Sequence, residues 1–247
     1  MNRSLLRFAL SAAMALPALA HAQEFPQRAI TIIDAYPAGG STDVLSRILG
    51  EKLRKNLGQP VIVEARPGAA GTIGAAAVAR AQPDGYTIFV GNPGPNAIAA
   101  TAFSKLPYDV EKDFEPIIIA ASVPILFCVP TNSRIRTPAE LIAAGKVSDG
   151  MNFGSSGQGG LSHIVGELFN REAGTRYRHV PYRGGAPLAV AVMSGEIEVG
   201  VMASPDALPH VRAGKIRCVA NAGAQRSPQF PDVPTLAESG LSNVKSD

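Results

Sequence analysis

The chain has 247 residues, of which 46% are hydrophobic and 17% charged, with a formal net charge of +3 and no tryptophan. That hydrophobic share excludes a disordered chain. The small charge, with no run of one sign, excludes the basic footprint of a nucleic-acid or anionic-membrane binder.

The first residues read as an export leader. Arg3 and Arg7 give a positive start, Leu5, Leu6 and residues 8–20 an apolar stretch, and Ala20-His21-Ala22 a cleavage-like site. The stretch is short for a span of about 20 apolar residues, although an uncleaved anchor is the alternative. Gln23 stands where a lipoprotein would need cysteine. Removal of residues 1–22 leaves about 225 residues with a net charge of about +1, expected in the periplasm and long enough for one large or two moderate domains. Cys128 and Cys218 are free to pair in an oxidising compartment or to remain two buried thiols. They lack the clustered spacing of a zinc site, and no metal or cofactor is expected.

In chain order, residues 28–34 read as a strand and 42–56 as a helix, with Val44, Leu45, Ile48, Leu49 and Leu53 at helical spacing. Gly58-Gln59-Pro60 ends that helix. Residues 61–65 form a strand, and the turn 67–71 opens an alanine-rich helix to about Ala81. Residues 86–90 are a strand followed by the small-residue loop 91–95. The apolar run 116–130 leans toward strand and suits a segment crossing between lobes. Thr137-Pro138-Ala139-Glu140 reads as a helix start with Thr137 as N-cap. Residues 151–154 are a strand, 161–173 a helix, and the alternation continues through 178–181, 188–193, 197–201, 207–213 and 216–221. Repeated strand–loop–helix units predict an α/β fold with mostly parallel sheets flanked by helices. The division expected is a first lobe of residues 23–127 plus 222–247 and a second of 128–221.

Two loops could carry chemistry. Tyr36-Pro37-Ala38-Gly39-Gly40-Ser41-Thr42-Asp43 lies between a strand and a helix. There up to four backbone N–H groups lack partners, the dipole is positive, and glycine lets a ligand approach the backbone. Such a loop suits a carboxylate. Alone it reads more readily as a tight turn capped by Ser41 or Thr42, with Asp43 a favourable first-turn acid. Gly154-Ser155-Ser156-Gly157-Gln158-Gly159-Gly160 offers the same amides and hydroxyls in the other half, and α/β ligands sit outside strand C-termini. The third loop adds Asn92, the helix after the serine loop adds His163, and Arg183 could reach a second carboxylate or be a surface turn residue. The catalytic templates fail. Gln158 breaks the nucleophile elbow, Ser162 replaces the third glycine of a dinucleotide fingerprint, and no Gly-Lys-Ser/Thr triplet occurs. A serine hydrolase built on Ser155 or Ser156 with His163 is the alternative of another class. Glu196 and Glu198 alternate on an expected strand as a solvated face.

The motifs YPAGGSTD at 36–43, VIVEARPGAAGTIG at 61–74, PDGY at 83–86, SSGQGGLSH at 155–163, HVPYRG at 179–184 and RSPQFPDVPTLAESG at 226–240, with residues 195–199, occur in one order. In them the chain resembles the Bug receptors, the extracytoplasmic solute-binding proteins of tripartite tricarboxylate transporters. The resemblance implies a two-lobed periplasmic binding fold of type II-like form that closes on a small carboxylate and enlists no enzyme chemistry. It implies delivery to membrane transporter subunits or a sensor domain, by a monomer. It also implies a ligand carboxylate held by residues 36–43 and 155–160, partly through water. The ligand-binding set is then Tyr36, Ala38, Gly39, Gly40, Ser41, Thr42, Asp43, Asn92, Ser155, Ser156, Gly157, Gly159, His163 and Arg183. Ala65 and Ala70 depart from the asparagine and glycine the family carries at those places. The family continues beyond Leu241 with further elements of the first lobe, so that lobe is expected to be incomplete here, and a truncated remnant without function is the remaining alternative.

Overall fold

A computed structural model describes residues 25–147 and 150–246. The leader expected at residues 1–22 lies outside them. Two sheets organise the chain. The first has three parallel strands in the order β2-β1-β3, with β1 Ile30–Asp34, β2 Val61–Ala65 and β3 Thr87–Val90. The second has five, in the order β6-β5-β7-β4-β8. These are β4 Ile125–Pro130, β5 Asn152–Ser155, β6 Arg178–Pro181, β7 Val199–Ala203 and β8 Ile216–Asn221. Here β5 pairs in parallel with β6 and β7, while β4 runs antiparallel to both β7 and β8.

The helices are α1 Ser41–Leu57, α2 Thr72–Ala79, the short α3 Ala99–Ala102, α4 Pro138–Val147, α5 Leu161–Ala173, α6 Gly185–Ser194 and α7 Ser204–Arg212. Helix α1 stops where Gly58 takes φ +69 and returns its N–H to the Arg54 carbonyl, a left-handed ending that glycine adopts without a Cβ penalty. Thr137 and Glu140 form a reciprocal cap on α4: Glu140 N donates to Thr137 Oγ1 and Thr137 N to Glu140 Oε2. Strand β4 is buried on both faces. Ile125, Phe127 and Val129 enter a core with Phe153, Val165 and Phe169, while Leu126 and Cys128 enter another with Leu188, Val192 and Met202. Period-two alternation sends successive side chains to opposite faces, so a central strand covered by helices on both sides reads as one apolar run. Gly166 is where α5 meets the sheet, because a Cβ there would strike the Phe153 ring.

Three expectations need correction. Residues 116–124 make no ladder, and Ile117, Ile118 and Ile119 are exposed; only 125–130 of the apolar run is strand. Residues 222–246 pack on the larger sheet rather than returning to the smaller one, for Phe230, Val233, Leu236 and Val244 lie in its two cores. Glu196 precedes β7 in a turn and accepts from the Tyr182 hydroxyl, and Glu198 accepts from Asn152 N, so neither forms the alternating face expected. Cys128 and Cys218 face each other across β4 and β8 and are joined by a disulfide. It staples two strands of one sheet and does not tie one sheet to the other. Among the described residues no helix is long and apolar enough to cross a membrane.

Candidate functional site

The C-terminal ends of β1, β5, β6 and β7 converge. Loop 36–43 follows β1, loop 155–160 follows β5, Gly184 and Gly185 follow β6, and α7 follows β7 directly. A Cβ at Gly184 would lie 2.9 Å from Pro37 Cδ. The Gly184 N–H donates to the Ser156 carbonyl at 3.1 Å, so the two loops foreseen from sequence meet through Pro37, Gly184 and Ser156. Gly157 and Gly160 face Ala70, and Gly159 faces Phe103. The glycines let the two halves approach at backbone distance.

Helices α1, α5 and α6 begin at the glycine N-caps Gly40, Gly160 and Gly184, and none has a side-chain cap. Neither Ser41 nor Thr42 caps α1, as an ordinary turn would require; the cap position falls one residue earlier, on glycine. Glycine supplies no oxygen, so first-turn amides stay open to a group from outside the helix.

Within loop 36–43 the polar groups are used in three ways. Asp43 turns back, accepting from Gly39 N at 3.0 Å and pairing with Arg47 one turn on. Burial raises its pKa, but hydrogen bonds from Arg47 and Gly39 outweigh that and leave it below the usual carboxylate value. Asp43 therefore shapes the loop and is neutralised from within it. Tyr36 Oη lies 3.2 Å from both the Ala70 carbonyl and Asn92 Oδ1, and Asn92 also accepts from Gly94 N. Burial pushes the Tyr36 hydroxyl up to about 12, so it stays a donor. Asn92 is thus a brace for Tyr36. Beneath the loop, Asp34 is fully buried, accepts from Tyr36 N and is raised by burial. Ala38 and Gly39 are exposed.

Loop 155–160 is held by its own side chains. Ser155 is fully buried, with Oγ 2.7 Å from His179 Nε2 and accepting from Gly157 N at 3.2 Å. Ser162 Oγ accepts from Ser156 N and meets Ser156 Oγ at 2.9 Å. His163 Nδ1 accepts from Gly159 N at 3.1 Å, and its ring stacks on His179 with centroids 3.8 Å apart. Burial lowers the pKa of both rings, His179 to about 4 with His163 as a second cause. Both are neutral near pH 7; His163 accepts from the Gly159 amide, and His179 shares a hydrogen bond with Ser155 Oγ. The pairing of Ser156 with His163 needed by a hydrolase is absent: Ser156 engages Ser162, His163 engages a backbone amide, and the serine that meets a histidine has no access to solvent.

Arg183 is exposed beside Gly184 and makes no ion pair among the described residues. No group of His, Cys, Asp and Glu there is placed to hold a metal. Sequence reading missed Ser162, His179 and, above all, Asp206. Asp206 stands in the first turn of α7, where it reads as a favourable acid on its own helix. Its Oδ1 instead accepts from Ser41 N, at the start of α1, at 2.7 Å. Burial pushes it up to about 6 against hydrogen bonds from Ser41. The signal was present in Ala203-Ser204-Pro205-Asp206, a fourth strand-to-helix junction bearing an acid.

A family model described as the tripartite tricarboxylate transporter family receptor matches residues 45–247. A UPF0065 protein of Bordetella bronchiseptica is 39% identical over 96% of this chain and 70% of its own length. Protein BugT of Bordetella pertussis is 34% identical over 94% and 72%. Among solved structures, a Rhodopseudomonas palustris protein with adipate is 32% identical, with a TM-score of 0.86 over 90% of this chain and 75% of that one. MatC from Rhodopseudomonas palustris with bound malate is also 32% identical, with a TM-score of 0.84 over 90% and 76%. The two-lobed fold expected from sequence is the fold of these periplasmic binding proteins, and the chain belongs to the tripartite tricarboxylate transporter receptor family.

Proposed function

We propose that this chain is a periplasmic receptor that captures a small organic carboxylate in the cleft between its two sheets and hands it to transporter membrane subunits. The observation that carries the reading is the meeting of glycine-capped helix N-termini from both halves. Three helices begin on the shared surface from glycine caps that use none of their first-turn amides; Asp206 takes the Ser41 amide of α1, and a carboxylate is the partner such amides favour. Relatives solved with adipate and malate support the same class of ligand. The lobes of this reading are the segment around the smaller sheet, up to about residue 124, and the segment around the larger one, joined at the start of β4. Export by the leader at residues 1–22 belongs to the same proposal. The contact set comprises loop 36–43 and loop 155–160, with Arg183 at the rim.

Calorimetric titration with mono-, di- and tricarboxylates and neutral amides tests this. Saturable binding of one or a few acids is expected. A chain that melts cooperatively and binds none of them would sink the proposal. A ligand at a hundred times its dissociation constant adds about 2.7 kcal/mol, or roughly 5–10 °C in melting temperature for a chain of this size, which makes a thermal-shift panel a sufficient first screen.

A further inference from the structure

We propose that Asp206 determines the ligand's chemistry: it fills the anion seat on α1 from within the chain, so the ligand must bring a hydrogen-bond-donating group to that side. An ammonium, an amide or a hydroxyl fits; a second carboxylate does not. The inference rests on the carboxylate-receptor reading and narrows it to acids bearing such a donor at the far end.

The geometry is specific. Asp206 Oδ1 takes the Ser41 N–H at 2.7 Å, which is the first amide of α1. Its other oxygen lies against Gly185, the first residue of α6, where any Cβ would collide with it. One carboxylate thus rests on the N-termini of two helices belonging to different sheets. That is where the dipoles make an anion most welcome. Ser41 supplies the hydrogen bonds found to it, and it takes part in none of the ion pairs among the described residues. The helix ends supply only partial positive charge, and no cation stands beside the acid to complete its compensation. A ligand ammonium or amide arriving there would supply the missing partner, whereas a ligand carboxylate would meet a like charge. The far carboxylate of the ligand keeps the open amides of α5, the Ser156 hydroxyl and Arg183.

The test uses the full chain and pairs of ligands matched in length: succinate against β-alanine and succinamate, and glutarate against 4-aminobutyrate and glutaramate, by calorimetry at pH 7.5. Wild type is expected to prefer the amine or amide of a pair at least tenfold, a readout that needs no variant. In Asp206→Asn, which keeps the shape and one acceptor, that preference is expected to fall at least tenfold, with dicarboxylate affinity rising. A wild type that favours the dicarboxylate, or a preference that Asp206→Asn leaves within twofold, overturns the proposal while leaving the receptor reading intact. If none of these acids, nor any in the wider carboxylate panel, binds to a cooperatively melting chain, both fall together.

Discussion

Reduction of the disulfide between Cys128 and Cys218 should lower stability sharply and leave binding alone. The two residues are 90 apart in sequence. In the chain-entropy account, closing a loop of that length removes about 4.6 kcal/mol worth of disorder from the unfolded state at 25 °C. Little opposes that figure in the folded state, because the β4–β8 ladder holds both residues in register whether or not the sulfurs are joined. Both side chains are also buried in the apolar core with Leu126 and Met202, where two thiols are tolerated as small hydrophobes. At roughly 2–4 °C per kcal/mol for this size, the melting temperature should fall by about 10–18 °C. The assay is denaturant unfolding of oxidised protein against protein reduced while unfolded and refolded under reductant. The midpoint should drop and the slope should rise, since the reduced unfolded chain exposes more surface. Ligand affinity should stay within about twofold, because the bridge lies inside one sheet. Two titratable thiols in denatured, unreduced protein would refute the bond. An unchanged midpoint would refute the entropic reasoning.

Gly166→Ala forces a Cβ into the Phe153 ring where α5 crosses the sheet; a loss of about 1–3 kcal/mol is expected on overpacking grounds, measured by urea melts. Ala70 holds φ +52, a left-handed conformation that suits glycine. Ala70→Gly should therefore raise stability by about 1 kcal/mol, or roughly 2–4 °C, and an unchanged or lower melting temperature would count against strain at that turn. His179, lowered to about 4 by burial and then by His163, binds its proton less readily when folded than the ordinary value of about 6.5 allows unfolded. Its contribution is present above about pH 6.5 and is lost as pH falls toward 4. The groups around it are the Ser155 hydroxyl and the His163 and Phe153 rings. Melting temperature should drop between pH 7 and 4.5, and His179→Gln should flatten that slope.

Much of the fold could be read from periodicity. The helix at 161–173 and the strands at 61–65, 178–181 and 216–221 stand at their expected bounds, because each combines a clear period with a glycine or proline stop. The apolar run 116–130 defeated the same method. Hydrophobicity says that a segment would gain from burial, not that a neighbouring strand is there to bury it, and only 125–130 finds β7 and β8. The site divides the same way. Loops 36–43 and 155–160 were visible as glycine-rich strand-to-helix turns. Which of their side chains face a ligand is not legible in the same way, since Asp43, Tyr36 and Asn92, expected as contacts, also brace the loop. Ser155 and His179 are 24 residues apart and Ser41 and Asp206 are 165 apart; no local pattern announces pairings made by the fold.

Those long-range pairings explain how a site with so few committed charges could still discriminate. Loops 36–43 and 155–160 each satisfy themselves internally, Asp43 with Arg47 and Gly39, Gly157 with Ser155, Gly159 with His163. Their backbone is therefore set before any ligand arrives, and little ordering cost remains to weaken affinity. What such loops offer is nearly the same in each, a cluster of amides at the positive end of a helix, and that alone distinguishes an anion from a neutral molecule but hardly one acid from another. Selectivity has to come from something that breaks the likeness between the two sides. Asp206 does this. It turns one of two similar anion seats into an acceptor, so the cleft presents amides on one side and a carboxylate on the other, and the order of groups along the ligand becomes the quantity the protein reads.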